Sequence, residues 1–346
     1  MLQFQTPEGK MEVEIPAGVR EGTSFDVQVP VAKLTACVAR PTAPGREDAL
    51  SVGALDGKDL ACAPHTPWPV AGPAALRDEG VALYHDALSA QKVLALRAHC
   101  EAVLDDACAA VAAGEKTEGD VFNAILLRGP TRHDLKLGLE PVVSSALAEV
   151  ATVIGPSIRQ TFGCDPYLAE IGAIRATGGA PRQPIHTDTG PSETPQLLTT
   201  FVALQDVDAA MGPTAFLPGT HRKPEAGAAL AEPERRSALL RRGPMRLGVM
   251  PAGACTLYDS RLLHAGGPNE TPHGRWLLYF SFCPSRELAS ELRGNGYAEL
   301  QAHGYTLSDL DEYGALVSEQ ESLEKRIGRV EIELKKKRAR HVVRVC

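Results

Sequence analysis

The pair His186-Thr-Asp188 and, much later in the chain, His264 are the residues whose types and spacing could hold a metal ion. Two histidines and one carboxylate on one face of an octahedral ion leave neighbouring positions open for a chelating co-substrate and O2, the arrangement used by mononuclear non-haem iron(II) oxygenases. In an extended strand, residues two apart project to the same side, so His186 and Asp188 can share one ion while Thr187 faces away. Gly190 and Pro191 then end the segment. The spacing is weak evidence in a chain with ten histidines. His99-Cys-Glu101 has the same spacing, but it falls in an Ala/Leu-rich helical stretch, where residues two apart point to nearly opposite sides. That pair reads as a surface histidine beside a solvated or capping glutamate.

His264 is favoured as the distal ligand by its surroundings, Thr256-Leu-Tyr-Asp-Ser-Arg-Leu-Leu-His264-Ala-Gly-Gly-Pro-Asn269. An apolar strand feeds the histidine, and small residues after it leave room for a co-substrate. His221, in Pro218-Gly-Thr-His-Arg222, and His273 are its rivals. Arg275 opens the strand Arg275-Trp-Leu-Leu-Tyr-Phe-Ser-Phe282, whose alternation puts Arg275, Leu277, Tyr279 and Ser281 on one face. An arginine heading an inward face needs a buried anion, which the distal carboxylate of 2-oxoglutarate would supply through a bidentate pair. The competing reading is a structural salt bridge to Asp206, Asp208 or Asp259.

The elements that must position these groups are legible as a change of texture. Residues 1–32 alternate like a small β-hairpin module, with strands expected at 11–15 and 24–29, and 33–75 form a Pro/Gly-rich linker or wrap. The main domain is expected over 76–290. It opens with a strand at 80–84, a helix from the N-cap Ser89 to about Gly114 and a second helix from Pro141 to about Ile154. Short apolar runs then follow at 167–175, 183–188, 197–205, 214–217, 245–249, 254–258 and 274–282, separated by Gly/Pro turns, which suggests a sandwich or jelly roll. The basic tail, 291–346, reads as helical, with Leu316, Leu323, Ile327, Val330 and Leu334 on one stripe that packs on the domain or makes a weak dimer contact.

Composition narrows the function classes. A chain of 346 residues, 44% hydrophobic, can bury a full core, and its net charge of −7 gives no broad attraction to nucleic acid or anionic lipid. The eight cysteines include no C-x-x-C pair and read as reduced, packed thiols. The first residues lack the features of a signal or transit peptide, and no run approaches the roughly 20 apolar residues of a membrane span, so a cytoplasmic protein is expected. Arg128, Arg132, His133 and Lys136 form a basic cluster that reads as a solvated turn or, alternatively, as a contact for an anionic substrate.

Taken together, these residues resemble the phytanoyl-CoA dioxygenase family of iron(II)/2-oxoglutarate oxygenases. The resemblance runs from about Leu76 to Pro284 and rests on four segments. They are Gln183-Pro-Ile-His-Thr-Asp188, Phe201-Val-Ala-Leu-Gln-Asp-Val207, Met211-Gly-Pro-Thr-Ala-Phe-Leu-Pro-Gly-Thr-His221 and Leu263-His-Ala-Gly-Gly-Pro-Asn269, followed by Arg275. It implies a mostly β fold with flanking helices around a double-stranded β-helix, or cupin-like, core. It also implies Fe(II) held by His186, Asp188 and His264, and 2-oxoglutarate anchored by Arg275, with Gln183 and Thr200, or Thr199 in the alternative register, beside the co-substrate. Some members carry a hydroxyl two residues after the distal histidine, where Gly266 stands here. Halogenating relatives lack the carboxylate ligand, so Asp188 favours O2-dependent hydroxylation, with release of succinate and CO2. The expected partner is a small-molecule or acyl-like substrate. The alternatives are a protein side chain as substrate, or a metal-binding jelly roll that acts only through interactions.

Overall fold

The computed structural model describes residues 2–6, 9–13, 67–123, 131–229, 232–242, 244–291, 304–320 and 322. The chain divides into two compact units, Met1–Asp48 and Ala49–Cys346. In the first, β1 (Leu2–Thr6) pairs antiparallel with β2 (Gly9–Val13), a tight hairpin that starts earlier in the chain than the alternation suggested. The partner strand expected at 24–29 and most of the 33–75 wrap lie outside the described residues.

The second unit begins its regular structure at α1 (Pro73–Glu79), with Pro73 in the first turn and Gly80 closing the helix in a left-handed conformation, φ 80°. A six-stranded antiparallel sheet follows, in the order β3-β9-β6-β11-β5-β4. Its strands are β3 (Val81–Tyr84), β4 (Arg132–Lys136), β5 (Tyr167–Ala176), β6 (Leu198–Ala203), β9 (Cys255–Asp259) and β11 (Arg275–Cys283). A smaller sheet, β10-β7-β8, is built from β7 (Thr214–Phe216), β8 (Arg246–Leu247) and β10 (His264–Gly266). The core is thus antiparallel β in two sheets, and among the described residues the sheets do not close into a barrel.

All nine residues of β11 are buried, because both faces of the large sheet are covered. Trp276, Leu278, Phe280 and Phe282 meet the helical layer, α2 (Ala90–Ala112) and α4 (Pro141–Phe162), between which the chain makes the single turn α3 (Glu118–Val121). Helix α2 presents Val93, Leu96, Cys100, Leu104 and Ala107, an i, i+3/i+4 stripe, and Ser89 stands at its N-cap position as the sequence suggests. The opposite face carries Leu277 and Tyr279, which pack with Phe201, Tyr258 and, from the small sheet, Phe216. Cys100 and Cys255 are fully buried free thiols.

Three expectations need amendment. Helix α4 runs eight residues past Ile154 and is long and apolar enough to meet the length and composition of a membrane span. Most of its apolar stretch is buried, and the helix packs in the core. Residues 183–188 form no strand, only a bridge at His186, since Pro184 has no N–H to give a ladder. In the tail, residues 307–320 are helical, with Leu307 and Leu310 buried against the helical core and Leu316 exposed. The remaining tail stripe, from Leu323 on, lies outside the described residues.

Because Phe280 is fully buried in the layer between sheet and helices, Phe280→Ala should cost about 3–5 kcal/mol of stability. The measurement is the urea midpoint. A shift no larger than that of an exposed Leu94→Ala control would contradict the assignment of this layer as the main core.

Candidate metal centre

His186 and His264 are brought together by their own backbones. The N–H of His186 donates to the carbonyl of His264 at 3.0 Å and the reverse bond is 2.9 Å, a directly opposed antiparallel pair. Asp188 is fixed by its N–H to the Ser260 carbonyl at 2.8 Å. One ligand atom from each of His186, Asp188 and His264 then lies within 4.8 Å of the others. Asp188 Oδ1 is 3.7 Å from His186 Nε2 and 3.6 Å from His264 Nε2.

The imidazoles are oriented by hydrogen bonds on the far side. His186 Nδ1 lies 2.8 Å from the Pro184 carbonyl and His264 Nδ1 lies 3.0 Å from the Leu262 carbonyl. A carbonyl only accepts, so each Nδ1 holds the hydrogen and each Nε2 keeps its lone pair toward the shared centre. The Asp188 Oδ2 accepts from the Tyr258 hydroxyl at 2.8 Å, leaving Oδ1 facing the histidines. Burial and the neighbouring Asp188 charge hold the Tyr258 phenol well above its usual range, so it stays a donor. His264 is buried by Tyr258 and Phe216, whereas the side chains of His186 and Asp188 are 27% and 30% exposed, so the centre opens on their side. This donor set, two imidazole nitrogens and one carboxylate oxygen with room beside it, fits a divalent transition metal with open positions.

The rival residues are engaged elsewhere. His221 is buried under Gly80, its Nε2 3.1 Å from the Arg77 carbonyl, and His273 is exposed in a loop. Glu101 pairs with Arg97 along the helix at 3.0 Å, and His99 sits 3.9 Å from Glu140. Neither joins the centre.

Arg275 is 2% exposed, and its Nε and Nη1 have no hydrogen-bond partner. None of the three aspartates weighed as its structural partner takes that role: Asp206 caps the Ala252 N–H, Asp208 caps the Met211 N–H and Asp259 pairs with Arg261 at 2.7 Å. Sequence reasoning placed Arg132 in a basic cluster but did not join it to Arg275. It lies on β4 opposite Ala176, as Arg275 does on β11, so the two arginines flank one residue on one face of the sheet. Arg132 is 5% exposed with Nη1 unpartnered, which overturns the solvated-turn reading for this residue; Arg128 lies outside the described residues. Burial lowers Arg132 to about 10, and burial together with the Arg132 charge lowers Arg275 to about 9. Among the described residues no carboxylate forms an ion pair with either. Alternation along the strand from Arg275 gave the face of one cation, but only the pairing of β4 with β5 reveals the second.

Gln183 lies beside them: its Oε1 accepts from the Gly266 N–H at 3.0 Å. A Cβ on Gly266 would fall 2.5 Å from that oxygen and 3.0 Å from Arg132 Nη1, so the space of the missing side chain is taken by these two groups. Thr200 points the other way. It pairs with Phe280 and Leu257 on the helix-facing side, while Thr199, opposite Ser281 and Tyr258, faces the centre. The register that the sequence left open thus places Thr199, not Thr200, on the site side.

Two residues along β4 from Arg132, Asp134 accepts from the Tyr279 hydroxyl at 2.9 Å and from Asn123 at 3.3 Å. Burial outweighs these bonds and pushes its carboxyl from 3.8 up to about 7. The folded state therefore holds a proton that the unfolded chain releases, and stability falls as pH rises from about 4 to about 7. Asp134→Asn should flatten that slope in urea midpoints measured across this range, and equal slopes in the two proteins would rule Asp134 out as its source.

Comparison with known proteins follows this geometry. Residues 76–276 match the family model described as phytanoyl-CoA dioxygenase (PhyH). Dioxygenase FrzG from Cladobotryum sp is 31% identical over 170 residues, 46% of this chain and 50% of that protein, so the chain spans about half the length of this curated relative. Among solved structures, iron-bound EctD from S. alaskensis superposes with a TM-score of 0.48 at 19% identity, covering 64% of this chain and 81% of that one. The epimerase SnoN from nogalamycin biosynthesis gives 0.47 at 19% identity, covering 61% and 81%.

Proposed function

The chain belongs to the phytanoyl-CoA dioxygenase family, and from that premise we propose an iron(II)- and 2-oxoglutarate-dependent oxygenase that hydroxylates a small-molecule or acyl-like substrate. In this reading His186, Asp188 and His264 hold the iron, and Arg275 anchors the distal carboxylate of 2-oxoglutarate with Arg132 and Gln183 beside it. The observation that carries it is the pair of buried, anion-free guanidiniums next to a preformed His/Asp/His centre. Leaving such donors unmatched is costly, and a carboxylate that accepts from both removes the penalty.

Iron(II) with 2-oxoglutarate supplies O2-dependent oxidative decarboxylation to succinate and CO2, coupled to oxidation of the substrate. The residues of the chain bind and orient. The Nδ1 hydrogen bonds keep both imidazoles aimed, and the aromatic wall of Tyr258 and Phe216 closes the His264 side to water. Substrate then approaches from the more open His186–Asp188 side. The intact carboxylate Asp188 supports oxygenation over halogenation, and the relative described as a dioxygenase supports the same reaction class.

Anaerobic addition of Fe(II) and 2-oxoglutarate should produce the visible charge-transfer band of the chelate, followed on exposure to O2 by succinate release. Absence of both in the wild type, or equal behaviour of wild type and His186→Ala, would refute the reading. Arg275→Met should raise the 2-oxoglutarate concentration needed at least tenfold, the order of one lost charge-assisted contact of about 1.5–3 kcal/mol, while leaving Fe(II) affinity close to wild type. Loss of both together would mark Arg275 as structural.

A further inference from the structure

One polar row crosses the large sheet on the side of the metal centre. Tyr258 on β9, Thr199 on β6, Ser281 on β11 and Glu170 on β5 are direct cross-strand partners in sequence. Ser281 donates to Glu170 Oε1, the Ser281 and Thr199 hydroxyls are 2.9 Å apart, Thr199 stands directly across from Tyr258 between β6 and β9, and Tyr258 donates to Asp188 Oδ2 at 2.8 Å. Tyr258, Thr199 and Ser281 are 1%, 2% and 0% exposed, whereas Glu170 is half-buried. Strands lie about 4.8 Å apart, so the row spans about 14 Å. Hydroxyls buried this completely are costly unless each is paired, and apolar residues would fill these positions of a β core equally well. The row has an end point that the core does not require: the oxygen of Asp188 turned away from the histidines.

We propose that Tyr258, buried on β9 across from Thr199, is a positioning residue that keeps Asp188 a one-oxygen ligand. The inference rests on the metal-centre reading above. An octahedral ion has six positions, and three protein atoms leave two for a chelating co-substrate and one more. A carboxylate free to swing and offer both oxygens would take the last of these. Occupying Oδ2 with the hydrogen of a fully buried phenol, packed among Phe201, Phe216 and His264, blocks that swing.

The test uses Co(II) in the full chain, because its visible d–d bands respond to coordination number. Tyr258→Phe should change the d–d spectrum and weaken Co(II) binding about tenfold or more, the range seen when an outer partner of a metal ligand is lost, while the metal-free variant melts close to wild type. Thr199→Val, one strand further from the metal, should shift the spectrum in the same direction by less, and it decides the matter alone if Tyr258→Phe does not fold. Wild-type spectrum and affinity in the folded variants would overturn the proposal. If instead the wild type binds no Co(II), or 2-oxoglutarate leaves its bands unmoved, it is the metal-centre reading that fails.

Discussion

The backbones of His186 and His264 exchange both of their hydrogen bonds, at 3.0 and 2.9 Å, and this pairing sets the distance from which the rest of the centre follows. It joins segments far apart in the chain, so its loop-closure cost must be met by other contacts. Those come from the two-sheet core: Phe216 lies opposite His264 in the small sheet, and Tyr258 of the large sheet packs between them. The imidazole rings end up 4.4 Å apart, centroid to centroid, before any ion is considered. A metal entering such a site finds its ligands already ordered, which keeps the entropy of assembling them out of the binding equilibrium.

How much of this could be read from the sequence depends on whether a feature is local. The same-side logic for His186 and Asp188, the small residues after His264 and the burial of Arg275 are local, and the structure brings the three ligand candidates together. The His99-Cys-Glu101 decoy also yields to a local argument, since helical spacing separates its side chains. Thr199 and Thr200 could not be separated, because a one-residue register choice exchanges the two faces and is fixed only by β9 and β11. Arg132 was hidden for a related reason. Nothing near it in the chain shows that β4 pairs with β5, and an arginine within the basic cluster 128–136 reads as part of a solvated turn. Segment 183–188 failed as a strand because Pro184 removes a ladder donor.

Charge is distributed in the fold with a clear polarity. Where β4 and β11 meet the same residue of β5, two cations are buried without a counter-ion; further along the same face lie Asp134 and Glu170. The acidic groups are satisfied from within the protein, by Tyr279, Asn123 and Ser281. Among the described residues, Arg275 Nε and Nη1 and Arg132 Nη1 are not. On the proposed reading, this asymmetry would give a chelating dicarboxylate a single sense of entry.

Among the described strands, β4 is the outermost of the large sheet, and its outer side is held only by the bridge from Phe122 to Leu135 and the Asn123 N–H to the Asp134 carbonyl at 2.8 Å. Arg132 therefore rides on an edge, while Arg275 sits on a strand held from both sides. On the proposed reading they are the two walls of one anion cradle, and these walls differ in mechanical stiffness. An anion gripped by both would act as a tie-rod between a compliant strand and a rigid one, so that filling the cradle would slow amide hydrogen exchange along β4 far more than along β11.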